Sequence, residues 1–287
     1  MQRFKAAVVQ MRSGTEPTQN IQSMRSLVGD AAAQGALYVQ TPEMTGALQR
    51  SRRNLLATLE DDRGEGVAGA ASELARRHGI FLHLGSTPIR LDGERVANRA
   101  FLFGPDGAEI ARYDKIHMFD VDLDNGESWR ESAVYAPGDT TTIVELPFVT
   151  AGISICYDVR FPQLFRAQAL AGAEMLTVPA AFTRQTGQAH WHILLRARAI
   201  ENGAWVVAAA QGGTHEDGRE TYGHSLIVDP WGKIVVEVDH DEPGIALAEI
   251  DPSQSAAARQ KIPNLKNARH FEVTTLSASS TGERKAS

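Results

Sequence analysis

Gly152-Ile153-Ser154-Ile155-Cys156-Tyr157-Asp158-Val159-Arg160-Phe161-Pro162 carries the only cysteine of a 287-residue chain. Upstream, Val149 to Ile155 is small and apolar and reads as a buried strand. Downstream, Pro162 followed by Leu164, Phe165, Ala167, Gln168, Ala169 and Leu170 predicts an amphipathic helix over Phe161 to Ala171, stopped at Gly172. A strand that turns into a helix is a unit of an α/β fold, and the turn lifts its side chain out of the sheet. A cysteine there is well placed for a nucleophile, and a nearby helix N-terminus can lower its pKa. The same position also suits a small buried core residue. Other parts of the chain have to decide.

Outward from this stretch, the second half predicts strands at Thr140 to Leu146, Glu174 to Val178 and Ala204 to Gln211, and a helix from His190 to Glu201 ended by Asn202-Gly203. Ser225 to Asp229, Pro230-Trp231-Gly232 and Lys233 to Val238 read as a hairpin, and Gly244 to Ile250 as a last strand. The first half has the same order. Phe4 to Met11, Ala36 to Gln40 and Ile80 to Ser86 are strands, Asn20 to Ala33 and Glu65 to His78 are helices, and Ala97 to Phe103 with Glu109 to Tyr113 form a hairpin around Gly104-Pro105-Asp106-Gly107. The near-continuous apolar run Ala6-Ala7-Val8-Val9 suits a strand buried on both faces. Two such halves without a linker imply sheets covered by helices on one face and packed together on the other. The fold class expected is α/β, a four-layer αββα sandwich in one domain over residues 1–273. Ser277, Ser279, Ser280, Thr281 and Gly282 before Glu283, Arg284 and Lys285 make 274–287 a flexible, solvated tail.

Composition narrows the function classes. Hydrophobic residues at 43% supply a substantial core, and the net charge of −6 argues against nucleic acid. A single cysteine allows no internal disulfide, so a reducing cytoplasm is the expected location. No signal peptide and no run of 18 apolar residues is read in the sequence, so no membrane is expected.

A thiol attacking an amide needs a base, an oxyanion stabiliser and an acid for the leaving nitrogen. No histidine is marked for this by its local context. His117 and His224 read as hydrogen-bonded structural residues, and His190 and His192 point in different directions along one helix. Glu43 follows Pro42 at the end of a buried strand, where an unpaired carboxylate is costly; the alternative is an acid facing solvent. Lys115 ends a strand-like run, and the alternative there is an exposed charge. Asp120, Asp122, Asp124 and Glu131 have the 1, 3, 5 and 12 spacing of a calcium loop, but Asn125 occupies the position that needs glycine and no helix precedes it. The acids are expected instead to form a hydrogen-bonded loop near the site.

Pro42-Glu43, Tyr113-Asp114-Lys115-Ile116-His117 and Cys156-Tyr157-Asp158-Val159-Arg160-Phe161-Pro162, taken together, resemble the nitrilase superfamily of carbon–nitrogen hydrolases. The likeness covers Phe4 to about Phe271, with Gln40-Thr41 less apolar than the family's usual segment. The resemblance implies that Cys156 is the nucleophile, Glu43 the general base, and Lys115 the oxyanion stabiliser with the backbone N–H of Tyr157; the lysine charge next to a buried cysteine is expected to favour thiolate. It implies that Glu131 holds Lys115 or positions the substrate. His117-Met118-Phe119-Asp120-Val121-Asp122, Thr186 to Trp191, and Gly223-His224-Ser225 with Asp229-Pro230-Trp231-Gly232 are similar to the branch of deaminated-glutathione amidases and omega-amidases. Ala208 to Gln211 and Glu220 to Ser225 lean towards the former. Those enzymes share a 2-oxoglutarate acyl half, whose carboxylate wants a cation. Arg160 is the candidate for it, the other reading being a pair with Asp158. Phe182, Thr183 and His190 are candidates to line the pocket.

The expected activity is therefore that of a cysteine amidase on a small-molecule amide, without metal or organic cofactor. The competing readings are an N-carbamoyl amino acid or nitrile hydrolase, a catalytically silent scaffold, and a thiol redox sensor, for which the chain lacks a resolving cysteine. The resemblance also implies a homodimer or larger homo-oligomer, with Asp251 to Phe271 reaching across a neighbour.

Overall fold

The computed structural model describes residues 2–59, 66–91, 95–123, 126 and 128–277. Glu65, Asp124, Asn125 and the tail beyond Ser277 lie outside the described residues. The first half runs β1 (Phe4–Gln10), α1 (Pro17–Ala33), β2 (Tyr38–Gln40), α2 (Arg52–Thr58), α3 (Val67–His78), β3 (Phe81–Arg90), β4 (Val96–Phe103) and β5 (Glu109–Asp114). A small hairpin, β6 (Asp120–Asp122) and β7 (Ser128–Arg130), then leads to β8 (Thr142–Glu145) and β9 (Thr150–Ile153). After a 3₁₀ turn at Cys156–Arg160 come α4 (Pro162–Leu170), β10 (Met175–Thr177), α5 (Arg184–Asn202) and β11 (Trp205–Ala208). The chain ends with β12 (Gly212–Thr214), β13 (Glu220–Tyr222), β14 (Leu226–Val228), β15 (Ile234–Glu237), β16 (Gly244–Ile250) and α6 (Ser253–Lys261).

Two six-stranded sheets form, in the orders β16-β1-β2-β3-β4-β5 and β8-β9-β10-β11-β14-β15. Pairing runs antiparallel, parallel, parallel, antiparallel, antiparallel across both. The halves thus share topology as well as element order. One strand is exchanged in sequence: β8 opens the second sheet, while its counterpart β16 comes last and returns to close the first.

The apolar run of β1 explains the layering. Successive side chains of a strand point to opposite faces. Phe4, Ala6 and Val8 join the core that also holds Val144, Ala151 and Ile153 of the other sheet. Ala7 and Val9 pack with Met24, Val28 and Ala31 of α1 and with Ala71, Leu74 and Ala75 of α3. Phe148, in the β8–β9 turn, bridges the sheets through rings 4.3 Å from Phe4 and 5.1 Å from Phe81. The αββα sandwich expected from the sequence is the observed arrangement.

The structure adds detail at three places. The long helix of the second half begins at Arg184 rather than His190. Thr186 and Gly187 are weak helix formers, but the structure needs Gly187 small: a Cβ there would lie 2.3 Å from that of Tyr222. The acidic segment, expected as a hydrogen-bonded loop and not as a calcium loop, takes the form of a hairpin. Asp120 accepts from Ser132 and Asp122 from Ser128 and Arg130, so their oxygens staple the hairpin. Finally, the start of the Asp251 to Phe271 segment turns inward. In α6, Arg259 donates to the carbonyl of Asn202 and Ser255 to that of Glu174, so this part docks on its own chain.

Candidate active site

Three loops that leave the strand ends of the two sheets meet at one point. Glu43 follows β2, Lys115 follows β5, and Cys156 follows β9. All three are buried, at 4%, 2% and 8% exposure, which rules out the solvent-facing readings of the acid and the lysine. Lys115 Nζ donates to Glu43 Oε1 at 2.8 Å and to both oxygens of Glu131 at 2.9 Å. Glu131 is thereby seen to hold Lys115, and it also accepts the Phe119 N–H at 2.6 Å.

Glu43 is saturated as an acceptor. Oε1 takes Lys115 and the Asn98 side chain at 2.9 Å, and Oε2 takes the Ala181 N–H at 2.8 Å. Asn98 also reaches Glu131 at 3.2 Å, so it ties the two acids together. Sequence reading overlooked Asn98, although a lone amide in the apolar strand Val96 to Phe103 is a visible sign, because a buried polar group needs partners. Gln40, noted as a departure from the family's usual segment, has a role here. Fully buried, its amide meets His83 at 3.1 Å and accepts the Ala209 N–H at 2.8 Å, linking the strand before Glu43 to the opposite sheet.

The turn that carries Cys156 is anchored by Asp158. Its carboxylate accepts the Ile155 N–H at 2.8 Å, the Tyr113 hydroxyl at 2.7 Å, and the N–H and ring Nδ1 of His117 at 3.1 and 2.7 Å. Cys156 itself sits at φ 49° with its N–H on the Pro179 carbonyl, and Met44, next to Glu43, at φ 56°. Positive φ at non-glycine residues costs about 1–3 kcal/mol each and persists where surrounding bonds impose it. Two of the three such residues among those described adjoin the proposed reacting groups. We expect Asp158→Ala to destabilise the fold by about 3 kcal/mol or more, since it leaves several buried donors unpaired. A loss below about 1 kcal/mol in urea denaturation would show that the turn holds without it.

The charges follow from these contacts. Burial alone would raise the Glu43 carboxyl, but the Lys115 charge and the hydrogen bonds from Lys115 and Asn98 outweigh it and hold the group below its ordinary value. Burial alone would lower Lys115, but Glu131 and Glu43 outweigh that and raise it. The Cys156 thiol is raised, by burial first and then by the Glu43 charge, against the pull of Lys115. This corrects the expectation that the lysine favours a resting thiolate. The site rests as thiol, carboxylate and ammonium.

A cavity of about 240 Å³ opens over the triad. Tyr157, Phe182 and Thr183 line it as expected. His190 is exposed and lies outside that lining, and Arg160 stands behind it, against the rings of Tyr157 and Phe182 at 5.9 and 5.2 Å. Arg160 meets His190 at 3.3 Å; among the described residues no carboxylate pairs with it, and Asp158 is committed elsewhere. Its pairing with Asp158 is thus overturned. His192, His224 and Glu237 are the described group with metal-ligand geometry, but both rings are spent on Glu237 at 2.8 and 2.7 Å. His117 is likewise a structural histidine, stacked on Phe161.

The sequence pattern of the carbon–nitrogen hydrolases matches residues 5–260. The deaminated glutathione amidase of Synechocystis sp. is 39% identical over 275 residues, 93% of this chain and 98% of that protein. The omega-amidase NIT2 of Mus musculus is 34% identical over 273 residues, 94% and 96% of the two chains. The solved structure of the C. elegans NitFhit protein aligns with a TM-score of 0.87 and 36% identity over 93% of this chain, which spans 65% of that longer one. Glu43, Lys115 and Cys156 all fall inside the matched span, and the chain belongs to the carbon–nitrogen hydrolase family of the nitrilase superfamily, hydrolases of amide C–N bonds.

Proposed function

We propose that this chain is a cysteine amidase that cleaves deaminated glutathione into 2-oxoglutarate and cysteinylglycine. The observation that carries the chemistry is the meeting of three buried groups on one cavity, the Cys156 thiol, the Glu43 carboxylate and the Lys115 ammonium bonded to that carboxylate. Cys156 Sγ attacks the amide carbon while its proton passes to Glu43. The tetrahedral oxyanion forms against Lys115 and the Tyr157 N–H, donors set in place before reaction. Glu43 then returns the proton to the leaving nitrogen, the C–N bond breaks, and a thioester remains. Water, deprotonated by Glu43, attacks the thioester, and the thiolate leaves and regains its proton. Glu131 keeps Lys115 aimed. No step calls for a metal or organic cofactor.

The substrate assignment is supported by the similarity to deaminated glutathione amidases along nearly the whole chain. Arg160, without a carboxylate partner among the described residues, suits the acyl carboxylate at the Tyr157–Phe182 wall. The 34% identity to an omega-amidase supports 2-oxoglutaramate as the second reading. We further read one domain over 1–273 with a tail from 274, a cytoplasmic location, and a homo-oligomer. The exposed apolar residues Leu170, Ile193, Ile200 and Trp231 support the last of these. Among the described residues no helix is long and apolar enough to cross a membrane.

The test is 2-oxoglutarate release from deaminated glutathione and from 2-oxoglutaramate, by wild type and Cys156→Ala in parallel. A preference for the first that disappears in the variant is the expected result. Preference for the second would move the assignment to omega-amidase. Turnover of neither would defeat both.

A further inference from the structure

Beyond the triad, the cavity wall carries further cations. Arg50, before α2, and Arg219, before β13, both line it, and their guanidinium carbons lie 4.5 and 4.6 Å from the ring centroid of one residue, Trp129. Arg130 lines it too but is used up on Asp122 and on the carbonyls of Val121 and Trp129. The two acids of the wall, Glu43 and Glu131, are committed to Lys115.

Arg50 and Arg219 are in a different condition. Among the described residues, no carboxylate pairs with Arg50. Arg219 Nε is buried without a hydrogen-bond partner, and its one acid, Asp217, stands 3.6 Å away, beyond hydrogen-bonding reach. Two like charges on one indole, with an unused buried donor, form a site that is incomplete without an anion. A planar fork of donors beside a rigid ring suits a carboxylate.

We propose that Arg219, assisted by Arg50, binds the terminal carboxylate of the leaving group and so selects peptide amides over simple ones. The inference rests on the amidase reading above and deepens it. Deaminated glutathione is anionic at both ends, at the 2-oxo acid and at the glycine carboxylate, with the scissile amide between. Arg160, behind the Tyr157 and Phe182 rings, and the Arg50–Arg219 pair on Trp129 supply a cation for each of those ends. The glycine carboxylate lies two residues beyond the amide nitrogen, about 7 Å in extended chain. An amide that releases only ammonia has nothing to place there. Arg219 is thus a specificity-determining residue rather than part of the proton relay.

The experiment compares kcat/KM of wild type and Arg219→Ala on deaminated glutathione and on the same compound with its glycine carboxylate converted to the carboxamide. Wild type should favour the free acid by about tenfold or more, and the variant should lose that preference, mainly through KM on the acid. Arg219→Gln, which keeps a side-chain stem against Trp129, should lose it too and guards against a folding defect in the alanine variant. A variant that keeps the preference overturns the proposal, as does a wild type that never had it, while both results leave the amidase reading standing. If wild type hydrolyses neither compound, the amidase reading fails and the subsite falls with it.

Discussion

Lys115→Met should lower turnover by about a hundredfold to a thousandfold, the usual cost of removing an oxyanion donor, and should also destabilise the fold. The second effect follows from the bonding. Lys115 is the shared cation of Glu43 and Glu131, and all three are shielded from water. Removing one partner of a buried ion pair typically costs about 3–5 kcal/mol, because the remaining charge has neither water nor partner. Here two carboxylates are stranded together.

The loss should depend on pH, in a direction that can be worked out. In wild type Glu43 is held below its ordinary value, so its contribution to stability is present at neutral pH and fades as pH falls through the lowered value. Lys115 is raised, so its contribution fades only as pH climbs through that raised value. Without Lys115, burial and the neighbouring acid dominate, and the carboxyl pair is pushed above its unfolded value. Folding then takes up a proton, and the variant gains stability relative to wild type as pH falls. Urea midpoints of both proteins at pH 5 and pH 8 check this. A penalty equal at the two pH values, or turnover above about a tenth of wild type, would remove Lys115 from its assigned place.

Which parts of this were legible in the sequence has a physical pattern. Cys156 stood out because strand, turn and helix are local signals and the residue is unique in the chain. The two-sheet architecture was legible for the same reason, from strand and helix periods in repeated order. The exchange that brings β16 back to β1 was not, since strand pairing over that separation leaves no local period. The start of α5 was hidden because tertiary packing against Tyr222, not helix propensity, selects Gly187. Glu43 and Lys115 carried weak signals alone, and a resemblance across three motifs was needed to link them. Their mutual charge, by contrast, depends on distances that only the folded chain sets, and this is why the state of the thiol was misjudged. Arg219 went unnoticed because an arginine near a turn looks like ordinary solvated surface. Only its approach to Trp129, a residue 90 positions earlier, distinguishes it.

Glu43→Gln should abolish turnover, by about a hundredfold to ten-thousandfold if the general-base role is right, and the site explains why the amide cannot substitute even as a spacer. Glu43 accepts on both sides: Lys115 and Asn98 approach Oε1, and the Ala181 N–H approaches Oε2. A glutamine has one oxygen and one NH₂ group. If the NH₂ takes the Oε1 position, it faces the Lys115 ammonium and the Asn98 amide, donor against donor. If it takes the Oε2 position, it faces the Ala181 N–H. Either orientation leaves a buried donor unsatisfied, so the variant should lose about 1–3 kcal/mol of stability along with its activity. Lys115 keeps Glu131 and stays charged, which makes the structural loss smaller than for Lys115→Met. With the Glu43 charge gone, the thiol loses a cause that raises it, burial remaining, while Lys115 still favours thiolate. Cys156 in Glu43→Gln should therefore ionise at lower pH than in wild type and alkylate faster with iodoacetamide at neutral pH, even as amide turnover fails. That pairing of a more ionised nucleophile with a dead enzyme would locate the role of Glu43 in moving the proton to the leaving nitrogen and from the water. An alkylation rate that fell in parallel with turnover would assign Glu43 to shaping the site and not to proton transfer.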